Sequence, residues 1–194
     1  MKQLNALIEY AQGLGATGAV VIRAADIVVD ESLAEKCREP RCENYGLAMS
    51  CPPHVAGPVA LRQLLESFRQ AILFKIDVPA DVLFSSESRE VFQLLHEVAS
   101  GIERKAVAMG FAGARAYAGG SCKAIFCHEH QECRALTAEG KCRHPESARP
   151  SMSGFGIDVA KLFAAAGWEM NWVSRHQDST STKMANVCGL VLIG

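Results

Sequence analysis

Seven of the chain's eight cysteines lie in two short stretches, and the thiolate is the side chain that soft and borderline metals prefer. Cys122, Cys127, Cys133 and Cys142 follow one another as CxxxxCxxxxxCxxxxxxxxC. A [4Fe–4S] cluster needs four soft donors converging on a compact cube, and this set is complete in itself. A structural zinc ion also takes four thiolates, but its sites are usually built on close CxxC pairs, and the chain contains no CxxC. The spacing therefore favours iron–sulfur ligation in the second stretch, with zinc as the alternative.

The first stretch supplies Cys37, Cys42 and Cys51, the last opening a Cys-Pro-Pro-His run. A proline after a ligating cysteine is familiar from ferredoxin-type loops. Three thiolates leave one position to fill, from Cys188, from His54 or from an exogenous water or substrate. The reading admits a second cluster here, and an open iron would give it catalytic use; the plain alternative is a set of independent thiols. Cys188, inside the apolar run NVCGLVLIG, reads as a packed core thiol. His128, His130 and His144 fall within the second stretch, where four thiolates need no histidine, while His96 and His176 carry no distinctive signal. Lys36, Arg38 and Arg41 flank the first set and Lys123, Arg134, Lys141 and Arg143 the second; such charges would offset an anionic cluster and raise its potential.

In order, Cys37, Cys42, Cys51-Pro52-Pro53-His54, the four cysteines from Cys122 to Cys142, and ARPSMSGFGIDV at 148–159 give the chain its family likeness. It resembles a family of small prokaryotic predicted metal-binding proteins. The resemblance spans most of the chain and implies metal binding, with no particular reaction attached. Cys188 lies outside the shared pattern. In RPSMSGFGIDV, Ser151 or Ser153 is expected to cap the helix that follows, and the glycines permit close backbone approach.

The elements that must position these loops are legible from periodicity. Leu4, Leu7, Ile8 and Ala11 predict a helix over 3–13, and GAVVIR at 18–23 a strand. After Pro58 an amphipathic helix leads into AILFKIDV, a buried strand. SSESREVFQLLHEVASGIERKAVAMG predicts the longest helix, capped by its serines; ARAYAG then predicts a strand and GIDVAKLFAAAG a helix. EMNWVSR and ANVCGLVLIG predict strands on either side of QDSTSTK. Alternating helices and strands point to the α/β class: a single-domain sandwich over 1–194, with a central mixed, partly parallel sheet, a C-terminal antiparallel hairpin, flanking helices and two cysteine-rich loops.

Composition sets the remaining bounds. With 49% hydrophobic residues the chain can bury one ordinary core. Its 20 Lys plus Arg nearly cancel 21 Asp plus Glu, so no strong field draws nucleic acid or anionic membrane. The N-terminus lacks a signal-like apolar run and no stretch reaches the roughly 20 apolar residues of a membrane span, which predicts a cytoplasmic protein. Disulfides are rare in that reducing compartment, and metal or redox chemistry is the usual reason for many cysteines. A dinucleotide fingerprint, a P-loop, HExxH and CxxxCxxC are all absent. The expected function is an iron–sulfur protein in an electron-transfer or redox accessory role, working with a redox partner protein or small-molecule substrate that the sequence does not name. A catalytic redox enzyme with an open-site cluster and a zinc-stabilised interaction module are the alternatives.

Overall fold

The computed structural model describes residues 2–171 and 184–194. The apolar runs read above become strands β1 (Gly18–Arg23), β2 (Gln70–Pro79), β3 (Arg115–Ala118) and β4 (Met184–Ile193) of one sheet, ordered β1-β2-β4-β3. β2 and β4 occupy the centre and are covered on both faces, which is why each reads as a nearly continuous apolar run. Ile72, Phe74 and Ile76 of β2 join Val191 and Ile193 of β4 in one core layer; Ala71 and Leu73 join Leu190 and Leu192 in the other.

Helix α1 (Lys2–Gly13) lays Leu4, Leu7 and Ala11 on the first layer, beside Leu95, Val98, Ala99 and Ile102 of the 21-residue helix α4 (Ser88–Ala108). The opposite face is closed by α3 (Gly57–Leu65) through Leu61, by α6 (Val159–Ala165) through Leu162 and Phe163, and by Met152 and Phe155 from the segment between the second cysteine loop and α6. Two short helices, α2 (Glu31–Glu35) and α5 (Cys122–Phe126), adjoin the cysteine loops.

The sheet corrects the expectation of a mixed, partly parallel arrangement: all three strand pairings are antiparallel. The crossover β2–α4–β3 does return the chain in its original direction, as helix–strand alternation suggests. β4 inserts between the two strands, however, and runs antiparallel to both, so the crossover is a split β-α-β unit with no parallel ladder. The expected C-terminal hairpin partner, EMNWVSR, falls mainly in 172–183, outside the described residues, as do the QDSTSTK turn and His176.

Helix ends depart from the serine caps read in the sequence. α4 starts from Glu87, with the Ser85 hydroxyl accepting the Glu87 amide in the turn before it. α6 is capped by Asp158, whose carboxylate accepts the Lys161 amide at 3.0 Å; Ser151 and Ser153 lie upstream of it. Gly156 takes a left-handed conformation with φ +68°, and a Cβ there would stand 2.3 Å from the Asp30 carbonyl oxygen, so only glycine lets the two segments close. At Gly154 a Cβ would meet Pro52 at 2.8 Å, which draws this segment against the Cys-Pro-Pro loop.

Candidate metal centre

β3 ends at Ala118, and Gly119 and Gly120 turn the chain into Ser121, the residue preceding α5. Ala118 donates its amide to Pro150 and accepts the Met152 amide, both at 3.0 Å; the Ser151 amide donates to the Ser50 carbonyl at 2.9 Å. Three remote segments, around residues 50, 120 and 150, are thereby laced together at one end of the sheet. Their side chains interlock as well. The Ser50 hydroxyl lies 3.0 Å from the Cys122 sulfur, and the Cys51 thiol donates to the Ser121 hydroxyl at 3.4 Å. Ala48, Cys51 and Cys122 form a small buried cluster, with Phe126 and Ala148 packed on it. The two cysteine sets thus share a wall made of two Ser-Cys dipeptides with exchanged partners.

On one side of this wall, Cys122, Cys127, Cys133 and Cys142 all line one small pocket, together with Lys123, Arg134, Arg143 and His144. Cys122 begins α5 and Cys127 is the residue that caps its C-terminus; Cys133 precedes a 3-10 turn at Arg134–Leu136. Cys142 is exposed, and its sulfur accepts the His144 amide at 3.3 Å. Burial pushes the Cys122 thiol up to about 12 against the lowering effect of the Ser50 hydroxyl, with Cys51, Cys142 and Cys133 adding to the rise. Cys127 is raised chiefly by burial, while the charges of Arg143 and Lys123 pull it back. Such buried thiols are poor nucleophiles unless a cation replaces the proton, and a coordinated metal does so outright.

On the other side, Cys37, Cys42 and Cys51 open onto a cavity of about 610 Å³ whose lining includes Lys36, Asn44, Ser121, Ser151 and Asp158. The Cys42 amide closes the loop on the Cys37 carbonyl at 3.0 Å. Burial raises both Cys37 and Cys51; nearby thiols add to this at Cys37, and hydrogen bonds to Ser121 and Ser50 oppose it at Cys51. All eight cysteines are free thiols. Among the described residues, no three His, Cys, Asp or Glu side chains are grouped so as to hold a single metal ion.

A family model described as "Predicted metal-binding protein (DUF2284)" matches residues 20–193. The chain belongs to this family. The stretch covered includes both cysteine sets of this DUF2284 protein and the wall between them. No curated protein and no solved structure matches the chain. Among its described residues, no helix is long and apolar enough to cross a membrane.

The remaining candidates of this DUF2284 chain fall into place around the two pockets. Cys188 is buried on β4 in the core layer with Tyr117 and Leu190, lines neither pocket, and burial pushes its thiol up to about 12. His54 pairs its Nε2 with the Gly46 carbonyl at 3.2 Å, bracing the Cys-Pro-Pro loop, and does not line the cavity. His128 and His130 are exposed, whereas His144 stacks on Phe126. Lys123 donates to the Cys127 carbonyl at 2.9 Å, Arg143 donates to the Glu132 carbonyl at 3.0 Å and Arg134 pairs with Glu139. Of the basic residues of the first set, Arg38 pairs with Glu35 and Arg41 covers the Tyr45 ring, while Lys36 lines the cavity.

His96, which carries no distinctive signal in the sequence, is fully buried at the base of the DUF2284 site. Its Nδ1 accepts the Arg149 amide at 3.1 Å, so Nε2 carries the proton and donates to the Gly119 carbonyl at 3.2 Å. One imidazole therefore pins the entry and the exit of the second cysteine loop to α4, and burial lowers its pKa to about 4. Beside it the Arg149 guanidinium pairs with Glu103 at 2.6 Å, and Glu103 also accepts the Ala116 amide of β3 at 2.7 Å. A clue lay in the position of His96, next to Leu95 on the flank of the apolar stripe of α4.

Proposed function

We propose that this protein is an iron–sulfur redox protein, with a [4Fe–4S] cluster held by Cys122, Cys127, Cys133 and Cys142 and a second cluster held by Cys37, Cys42 and Cys51. The observation that carries this reading is that the four thiols of one loop all line a single pocket together with Lys123, Arg134 and Arg143. A zinc ion requires every sulfur about 2.3 Å from one centre. A cubane presents four irons at separate corners, each taking its own thiolate, and the four-cysteine set supplies one for each. The positive residues lining that pocket, Lys123, Arg134 and Arg143, would balance the charge of a thiolate-bound cluster.

The shared Ser-Cys wall supports a joint role for the two sites. Electrons delivered by a redox partner protein near the exposed Cys142 would reach the first site through the Cys122–Cys51 contact. A purely electron-carrying role leaves the large cavity at the three-cysteine set without use. That cavity favours a second reading, a redox enzyme whose first cluster has an open iron. In either reading a reducing compartment such as the cytoplasm would keep the thiols available for metal.

The test is iron, sulfide and zinc content of anaerobically purified protein, read with visible absorption and electron paramagnetic resonance after reduction. About eight irons with equal sulfide is the expected result, and about four would restrict the reading to the second loop. Zinc without sulfide would replace it with a zinc-stabilised interaction module.

A further inference from the structure

The cavity in front of Cys37, Cys42 and Cys51, about 610 Å³, lies within the range of small-molecule sites. Ser121 and Ser151, both buried, and Ser153 line the same cavity, Ser121 already bonded to the Cys51 thiol. Among the described residues, the hydroxyls of Ser151 and Ser153, the carboxamide of Asn44 and the ammonium of Lys36 form no hydrogen bond within the protein. The acid in the lining, Asp158, already accepts the Lys161 amide as the cap of α6. Leu33, Ile157 and Val159 add an apolar wall. Unbonded hydroxyls and a carboxamide thus share the cavity with three thiols and with Lys36, whose charge also acts on Asp30, and its volume has room for a short carbon skeleton.

We propose that this cavity binds a small hydroxy- or keto-carboxylate, held at its carboxylate by Lys36 and the hydroxyls of Ser151 and Ser153. The proposal rests on the iron–sulfur reading in one respect: three thiolates leave one iron without a protein ligand, and iron accepts oxygen donors readily. A carboxylate beside an ammonium makes charge-assisted hydrogen bonds, which are roughly twice as strong as neutral ones. The apolar wall suits a carbon chain and offers nothing to a bare inorganic oxyanion.

The experiment titrates malate, succinate and inorganic phosphate separately into anaerobically purified protein by calorimetry, with metal content and paramagnetic resonance recorded on the same samples. Malate is expected to bind and to change the signal of one cluster, with succinate weaker for want of a hydroxyl oxygen. Lys36→Gln, a change at an exposed position, should weaken malate on the order of tenfold or more at unchanged metal content, and Ser151→Ala by a few-fold. No malate binding to protein with about eight irons would overturn the proposal and leave the cluster reading standing. Malate affinity unchanged in both variants, or phosphate bound as tightly with the same dependence on Lys36, would also overturn it. Malate bound through Lys36 with no iron in the first loop would uphold the carboxylate site and remove the cluster reading there.

Discussion

The Ser50 hydroxyl oxygen sits 3.0 Å from the Cys122 sulfur, while Cys51, next to Ser50 in the chain, reaches Ser121, next to Cys122. Once the thiols are metal-bound thiolates, both hydroxyls can only donate, and hydrogen bonds to ligand sulfur raise a cluster's reduction potential. Ser50→Ala should therefore lower the potential of the four-cysteine site most, with a smaller effect at the three-cysteine site through its longer 3.9 Å approach to Cys51, and Ser121→Ala that of the three-cysteine site. A differential of ~0.5–1 kcal/mol corresponds to about 20–40 mV for one electron. Redox titration followed by paramagnetic resonance checks this; equal shifts of both centres in both variants would contradict the crossed pairing.

Cys127→Ser should remove the metal of the four-cysteine pocket and leave that of the first loop. Cys188→Ala should change the metal content of neither, because Cys188 lies in the core and lines neither pocket. Iron and sulfide analysis of the two variants distinguishes a ligand from a packed thiol, and loss of iron in Cys188→Ala would restore Cys188 as the missing fourth ligand.

The Glu103–Arg149 pair is largely buried, with side-chain exposures of 18% and 10%. Removing the guanidinium leaves a buried carboxylate without its counter-charge, and Arg149→Met should cost about 3–5 kcal/mol of stability. The Glu103→Leu/Arg149→Met double variant should recover part of that loss. Chemical denaturation of the single and double variants measures both.

His96 gives the fold a sensitivity to acid. Its pKa is lowered to about 4 in the folded protein against an ordinary 6.5, chiefly by burial, with the charge of Arg149 acting in the same direction. The unfolded chain therefore takes up a proton that the folded one refuses as pH falls through 6.5. Stability from this residue is complete above that pH and declines toward pH 4, by on the order of 3 kcal/mol in total. Denaturation midpoints at pH 7.5 and 5 should differ more in the wild type than in His96→Gln, which has no imidazole to titrate.

The strands and long helices were readable because their burial leaves a periodic trace: AILFKIDV is apolar throughout as a central strand, and α4 repeats its stripe for 21 residues. Strand direction was not, because alternation of helix and strand does not reveal that the last strand enters between two earlier ones. The two thiol sets were likewise visible as spacings. Their contact through Ser50, Ser121 and Ser151 depends on backbone bonds between remote segments, which leave no local pattern. The cap of α6 went to Asp158 instead of a serine because the chain makes a further turn, Ser153–Phe155, before the helix begins.

Among the described residues β4 is the only ladder partner of β3, and it pairs with β2 along its whole length, yet it lies later in the chain than every residue of both cysteine loops. During synthesis all seven clustered thiols emerge before the strand that anchors Ala118, and with it Ser121 and Cys122. Pairing so distant in sequence raises the contact order of the sheet, which slows folding. A nascent chain that stops short of residue 184 already carries the full set of thiols, before a central strand of the sheet beneath them has been made.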